Sequence, residues 1–118
     1  MIKFICYPKC TTCQKAQKWL NDNGSEYELR DIKLDNPTLD ELTEWYGKSG
    51  LPLKKFFNTS GLLYKSLNLK NKLPQMSDDE MLKLLATDGM LVKRPILVGE
   101  DFVLVGFKEN EWINKTLK

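Results

Sequence analysis

Residues 2–13 read Ile2-Lys3-Phe4-Ile5-Cys6-Tyr7-Pro8-Lys9-Cys10-Thr11-Thr12-Cys13, and this stretch decides the fold. Positions 2–7 are mostly apolar and of the kind enriched in strands, and Pro8 ends that run. The two cysteines at positions 10 and 13 follow after a short turn. The stretch therefore predicts a strand whose end leads directly into a Cys-x-x-Cys motif.

Downstream of the motif, the apolar residues recur at the spacing of a helix. Thr11 and Gln14 have the S/T-x-x-E/Q pattern of a capping box, so we predict a helix over about 11–23 that begins there. Polar and apolar residues then alternate over 26–32, which predicts a second strand. A helix that joins two neighbouring strands in this way makes them parallel, so the sequence predicts a β-α-β unit.

The rest of the chain predicts helices, then a hairpin, then a last helix. Capping boxes that begin at Thr38 and Ser77 introduce two of the helices. Two short apolar runs, at 95–98 and 102–105, predict a hairpin. This order predicts an α/β protein with a thioredoxin-like fold in one domain over 1–118. Its small mixed sheet carries a helical insertion, at about 37–90, between the β-α-β unit and a carboxyl-terminal β-β-α unit.

Composition excludes several classes of function. The 118 residues include 18 basic and 16 acidic side chains, a formal charge of +2 that is too small to predict nucleic-acid binding. We interpret the Lys54-Lys55 and Lys70/Lys72 clusters as solvated surface. No apolar run approaches the length of a membrane span, and no secretory leader precedes the first strand, so we expect a cytoplasmic protein without membrane contact. The absence of histidine excludes histidine-dependent triads and histidine-ligated zinc.

The chemistry is expected at the cysteines. At the amino terminus of a helix, unpaired backbone N–H groups favour a thiolate at Cys10, and Lys9 adds a nearby cation. We predict Cys10 as the nucleophile. Cys13 lies one turn later on the same face, where it could attack a mixed disulfide formed at Cys10, so we predict it as the resolving thiol.

Alternatives to redox chemistry are weaker. We predict that Cys6, inside the first strand, is a buried packing residue. The spacing Cys6-x3-Cys10-x2-Cys13 matches that of radical-SAM iron–sulfur enzymes, but those proteins are much larger. A structural zinc site has four protein ligands, whereas this chain has three cysteines and no histidine. We therefore expect no bound metal and no bound cofactor.

A second chemical segment, Lys93-Arg94-Pro95, precedes the third strand. A proline at this position of a thioredoxin-like fold is commonly cis and lies against the redox cysteines. Arg94 would present a planar donor fork to an oxyanion, a glutathione carboxylate or the Cys10 thiolate, and is predicted as a third catalytic residue. The residues expected against the substrate are Lys9, Thr11, Thr12, Arg94 and Pro95.

The sequence resembles the ArsC/Spx/MgsR family of thioredoxin-fold proteins with a helical insertion. Several separated motifs carry the resemblance in the correct order over nearly the whole chain: Tyr7-Pro8-Lys9-Cys10-Thr11-Thr12-Cys13, Phe56-Phe57-Asn58-Thr59-Ser60-Gly61, Asp88-Gly89-Met90-Leu91-Val92-Lys93-Arg94-Pro95 and Val105-Gly106-Phe107.

In the family's glutaredoxin-dependent arsenate reductases, a cysteine at the position of Cys10 attacks arsenate and arginines hold the oxyanion. Arg94 matches one of these arginines, whereas Asn58 and Gly106 stand at the positions of two others. The missing guanidinium groups predict weak arsenate binding. The resemblance implies a thiol oxidoreductase with glutathione as co-substrate and glutaredoxin or thioredoxin as reductant.

Spx-type members of the family also have a Cys-x-x-Cys motif. They are thiol-switch transcription regulators that bind the carboxy-terminal domain of the RNA polymerase α subunit. The resemblance therefore implies an alternative function, a redox-switched regulator with RNA polymerase as partner. A third interpretation is an interaction module in which the cysteines are incidental.

Overall fold

A four-stranded mixed sheet forms the centre of the protein in the computed structural model, which describes residues 2–116. The strands lie in the order β2-β1-β3-β4, where β1 is Ile2–Cys6, β2 is Tyr27–Asp31, β3 is Ile96–Val98 and β4 is Val103–Val105. β1 is parallel to β2 and antiparallel to β3, and β3 and β4 form an antiparallel hairpin. The predicted parallel β-α-β unit and the hairpin are both confirmed.

The helices occupy the segments between and after these strands. They are α1 (Thr11–Asp22), α2 (Leu39–Ser49), α3 (Leu62–Ser66), α4 (Leu69–Lys72), α5 (Asp78–Leu85) and α6 (Glu109–Thr116). Three short 3-10 turns lie at Leu53–Phe56, Leu73–Gln75 and Gly89–Leu91. The helices between β2 and β3 form the insertion, and the predicted fold class is confirmed. Within residues 2–116, no helix has the length and apolar character needed to span a membrane.

The two faces of the sheet are covered by different parts of the chain. Successive side chains of a strand point to opposite faces. Phe4 therefore packs with Leu20 of α1 and Trp112 of α6, whereas Ile5 packs with the insertion, for example with Phe56. All five are almost fully buried. The insertion is thus part of the core.

Backbone hydrogen bonds attach the insertion to the segment before β3. Phe57 and Val92 form an isolated antiparallel bridge. The Asn58 N–H donates to the carbonyl of Leu91 at 2.8 Å, and the Lys93 N–H donates to that of Phe56 at 2.7 Å. This pairing brings the Asn58 loop beside Arg94.

The helix predicted over about 11–23 is confirmed as Thr11–Asp22, but its predicted capping box is wrong. Cys10, not Thr11, is the N-cap of α1, and it makes no side-chain capping bond. Thr11 is the first helical residue, and the Gln14 side-chain amide donates to the Pro8 carbonyl at 3.0 Å instead of closing a capping box. The turn from the strand sets this geometry, because the Cys10 N–H donates to the Tyr7 carbonyl.

The other two capping boxes are confirmed, at Thr38 with Glu41 and at Ser77 with Glu80. α2 continues through Gly47 to Ser49, because the residue in the left-handed conformation that ends it is Gly50, at φ 69°.

Candidate thiol site

Cys10 lies where the loop after β1 enters α1. Its backbone is extended, at φ −82° and ψ 124°, and its carbonyl accepts the Gln14 N–H at 3.0 Å. The side chain is half-buried and faces a cleft. The first N–H groups of a helix carry partial positive charge, and Cys10 lies directly before them. Cys10 is therefore placed for attack on a molecule in the cleft.

Cys13 lies one turn further along α1 and is enclosed, with 2% of its surface exposed. Its sulfur accepts the Tyr7 N–H at 3.3 Å, and Cys6 and Cys10 pack in the same cluster. A hydrogen bond with Cys6, followed by burial, raises the pKa of the Cys13 thiol far above its ordinary value. Cys13 is therefore an enclosed and protonated thiol at neutral pH.

Cys6 is the third member of this thiol row. It is the last residue of β1 and is 2% exposed, so the predicted burial is confirmed. All three cysteines are free thiols. Sequence reasoning missed the contact between Cys6 and Cys13. Strand alternation offered a signal for it, because Cys6 shares a face with Phe4, and that face packs on α1.

Arg94 packs on the ring of Tyr7. Its guanidinium carbon lies 5.3 Å from the centre of the Tyr7 ring, a cation–π arrangement. One terminal nitrogen donates to the carbonyls of Met90 and Val92 over long distances of 3.4 and 3.5 Å. The buried Nε has no hydrogen-bond partner among the described residues. Arg94 therefore keeps donor capacity beside the cysteine loop. The Arg94–Pro95 peptide bond is cis, as predicted.

The cleft in front of Cys10 has a volume of about 930 Å³ and is strongly basic. Its wall contains Arg94 and four lysines, and none of the described residues lining it is acidic. The lysines are Lys54, Lys55, Lys93 and Lys108. Such a concentration of one charge attracts anions. The net charge of the chain hides this feature, because the acidic residues lie elsewhere.

The predicted site residues are distributed unevenly around this cleft. Cys10, Thr12 and Arg94 line it. Lys9 and Thr11 are exposed and do not line it, and Pro95 is buried behind it. Of the seven predicted residues, the structure therefore brings three to one surface, buries Cys13 beneath Cys10, and leaves the other three around the cleft.

Two positions singled out from the resemblance also line the cleft, namely Asn58 and Gly106. Gly106 has φ +81°, a backbone conformation that residues other than glycine rarely adopt. Sequence reasoning missed the role of Lys54 and Lys55. They are exposed, as expected of solvated surface, but the fold places them in the wall of the cleft. Within residues 2–116, no group of three or more potential ligands could hold a metal ion.

Comparison with known proteins gives a consistent set of relatives. The model of the ArsC family matches residues 6–114. The uncharacterized protein YusI of Bacillus subtilis is 54% identical over 94% of this chain and 94% of its own length. A crystal structure of an ArsC family related protein from Bacteroides fragilis is 58% identical, with a TM-score of 0.95 over 96% of this chain and 95% of that one.

Some more distant relatives are named as regulators and others as arsenate reductases. The regulatory protein MgsR of Bacillus subtilis is 29% identical over 99% of this chain and 91% of its own. The global transcriptional regulator Spx 1 of Bacillus cereus is 27% identical over 94% of this chain and 83% of its own. A structure of arsenate reductase from Vibrio cholerae is 27% identical, with a TM-score of 0.74 over 86% of this chain and 87% of that one.

Proposed function

Because the chain belongs to the ArsC family, we propose that it is a thiol–disulfide oxidoreductase in which Cys10 is the nucleophile and Cys13 the resolving thiol. One observation carries this proposal. Cys10 faces a basic cleft at a helix amino terminus, while Cys13 is enclosed one helical turn behind it, in the same packed cluster.

The first step is attack by the Cys10 thiolate on a sulfur atom of a substrate disulfide. A bond forms between the two sulfurs, the substrate disulfide breaks, and one thiolate leaves. The positive cleft offsets the repulsion between the thiolate and an anionic substrate. Arg94 is the catalytic arginine of this proposal, and its guanidinium fork, which lines the cleft, holds a substrate oxyanion or carboxylate.

The second step is attack by Cys13 on the Cys10 sulfur. Cys13 loses its proton, the mixed disulfide breaks, and the second substrate thiolate leaves. The protein has then lost two electrons and holds a Cys10–Cys13 disulfide, while the substrate disulfide has gained them. Glutathione with glutaredoxin, or thioredoxin, restores the dithiol.

Arsenate is a weak substrate in this proposal. Arg94 brings one guanidinium group to the cleft that Cys10 lines, whereas Asn58 and Gly106 bring none. Lysines bind oxyanions as point charges without the bidentate geometry of arginine. Turnover of disulfides should therefore exceed turnover of arsenate.

Mild oxidation followed by peptide mapping tests the roles of the cysteines. We expect a Cys10–Cys13 disulfide that lowers the mass by about two hydrogens and is reversed by dithiothreitol. Iodoacetamide should label Cys10 faster than Cys13 at neutral pH, because Cys13 is enclosed and protonated. Faster labelling of Cys13, or a main bridge that contains Cys6, would contradict the assignment.

A second candidate is a redox-switched transcription regulator that binds the RNA polymerase α subunit. The similarity to MgsR over 99% of this chain favours it. The Cys13→Ser variant separates the two functions, because it traps mixed disulfides at Cys10. Capture of small thiols or glutaredoxin-like proteins supports the enzyme. Retention of RNA polymerase α that depends on the oxidation state of the wild-type protein supports the regulator.

A further inference from the structure

A second concavity, of about 620 Å³, adjoins the cleft. We call it the insertion groove. Its wall is largely apolar or aromatic and includes Tyr46, Leu53, Tyr64, Leu73, Met76 and Met81. Lys54, Lys55 and Thr59 line both the cleft and the groove, so the two concavities form one continuous surface that ends at Cys10.

This surface has an excess of unpaired positive charge. Besides the five cations of the cleft, the groove contributes Lys70. Across residues 2–116, none of these six forms an ion pair. The groove contains one carboxylate, that of Asp78, and it accepts a hydrogen bond from the Tyr46 hydroxyl at 3.1 Å. The charge of the surface therefore matches an acidic ligand.

The surface also offers apolar contacts that a free oxyanion cannot use. Leu62, at the start of α3, lines the cleft with 86% of its surface exposed. Leu63 and Phe107 line the cleft as well and are half-buried. Concave sites that combine apolar walls with a few charges bury whole organic groups. The cleft and groove together extend well beyond one oxyanion.

We propose that the cleft and the insertion groove form a docking surface for an acidic polypeptide segment that carries apolar side chains and presents a disulfide-bonded cysteine to Cys10. The proposal rests on the proposed oxidoreductase function and names its substrate class as a protein disulfide. Acidic side chains of the segment pair with Lys54, Lys55 and Lys70, and its apolar side chains pack on Leu62 and Tyr64. The electron balance is that of the two steps given above.

The test uses short peptides whose single cysteine is joined to 2-thiopyridine by a disulfide. One peptide contains glutamates and leucines, a second has lysine for each glutamate, and a third has serine for each leucine. Attack by Cys10 releases pyridine-2-thione, which is followed by its absorbance. The neutral small disulfide 2,2′-dithiodipyridine, which cannot use the surface, reports the intrinsic reactivity of Cys10.

Two charge-reversed variants are compared with the wild type. Lys54→Glu/Lys55→Glu reverses charge on the docking surface. Lys33→Glu/Lys115→Glu is the matched control, since both its lysines are exposed, line neither concavity and make the same change in net charge. The neutral variant Lys54→Gln/Lys55→Gln replaces the first if charge reversal impairs folding.

We expect the wild type to react about tenfold or more faster with the acidic peptide than with the basic one, because complementary charge raises association rates. The surface variant should lose this preference and the control should keep it, when each peptide rate is divided by the rate of the same variant with 2,2′-dithiodipyridine. The serine peptide, or Leu62→Ser with the leucine peptide, should react several-fold more slowly.

Equal rates with acidic and basic peptides would overturn the docking proposal, and so would equal loss of the preference in the surface and control variants. A Cys10 that reacts with 2,2′-dithiodipyridine no faster than free cysteine does would instead contradict the oxidoreductase function. The two failures are thus distinguishable.

Discussion

Replacement of Glu41 by glutamine tests how the insertion is held against the sheet. Arg30, on β2, reaches the carboxylate of Glu41, on α2, through two hydrogen bonds of 2.5 and 2.8 Å. The Arg30 side chain is only 15% exposed, and it also donates to the carbonyls of Asp35 and Asn36. Glu41→Gln keeps the shape of the side chain but removes the charge of this bidentate pair.

The shift in the pKa of Glu41 gives the size of the expected loss of stability. Hydrogen bonds from Arg30, with support from the Thr38 N–H, lower this pKa from 4.5 to about 2. A difference of this size corresponds to about 3 kcal/mol. The Glu41 side chain is 28% exposed, so solvent screening reduces the expected contribution to about 2 kcal/mol.

The sign of the pH dependence follows from the lowered pKa. The unfolded chain binds a proton at Glu41 near pH 4.5, whereas the folded chain does so only near pH 2. The stabilisation is therefore fully present above about pH 4.5 and is lost as the pH falls toward 2. Stability differences between wild type and Glu41→Gln should shrink over the same range.

Urea unfolding of both proteins at neutral pH and at several acidic values measures this difference. At neutral pH, we expect Glu41→Gln to lower the free energy of unfolding by about 2 kcal/mol. The control is Glu44→Gln, which removes an exposed pair with Lys48 on the same helix and should cost less than about 0.5 kcal/mol. A pH-independent difference, or equal losses in the two variants, would refute the reasoning.

The remaining predictions concern the thiol site and the backbone packing of two glycines. Arg94→Lys should lower arsenate turnover in glutaredoxin- or thioredoxin-coupled assays by about 10²–10³-fold, because it removes the planar donor fork of the guanidinium group. Robust turnover in this variant would contradict a role of Arg94 in binding the oxyanion. In a protein that already lacks the Cys10 thiol, Cys6→Ala should lower the pH midpoint at which iodoacetamide labels Cys13, because the hydrogen bond to Cys6 is the largest cause of the raised pKa of Cys13. An unchanged midpoint would exclude that cause. Gly89→Ala should destabilise the protein by about 1–3 kcal/mol in thermal unfolding, because a Cβ atom there would lie 1.8 Å from a backbone carbonyl oxygen. Gly47→Ala, with open space around it inside α2, should instead stabilise by about 0.5–1 kcal/mol.

From the sequence alone, the local elements could be predicted because their signals lie within a few residues. The alternation of β2, the helical period of α1 and the capping boxes at Thr38 and Ser77 all reflect hydrogen bonds between neighbours in the chain. The same locality placed Cys10 at the strand–helix junction. It failed at Thr11, where the Thr11–Gln14 pattern was present but the turn after β1 made Cys10 the cap.

Only the tertiary structure decided what surrounds Cys10. Lys54 lines a cleft with Arg94 because the segment 56–58 pairs with the segment 91–93, a contact between residues far apart in sequence. The row of thiols from Cys10 through Cys13 to Cys6 likewise depends on the packing of α1 against β1. Local sequence patterns determine which neighbouring backbone groups form hydrogen bonds. The charge of a cleft instead depends on side chains from separate elements, which only tertiary packing brings together. The basic character of this site was therefore invisible in a chain whose net charge is only +2.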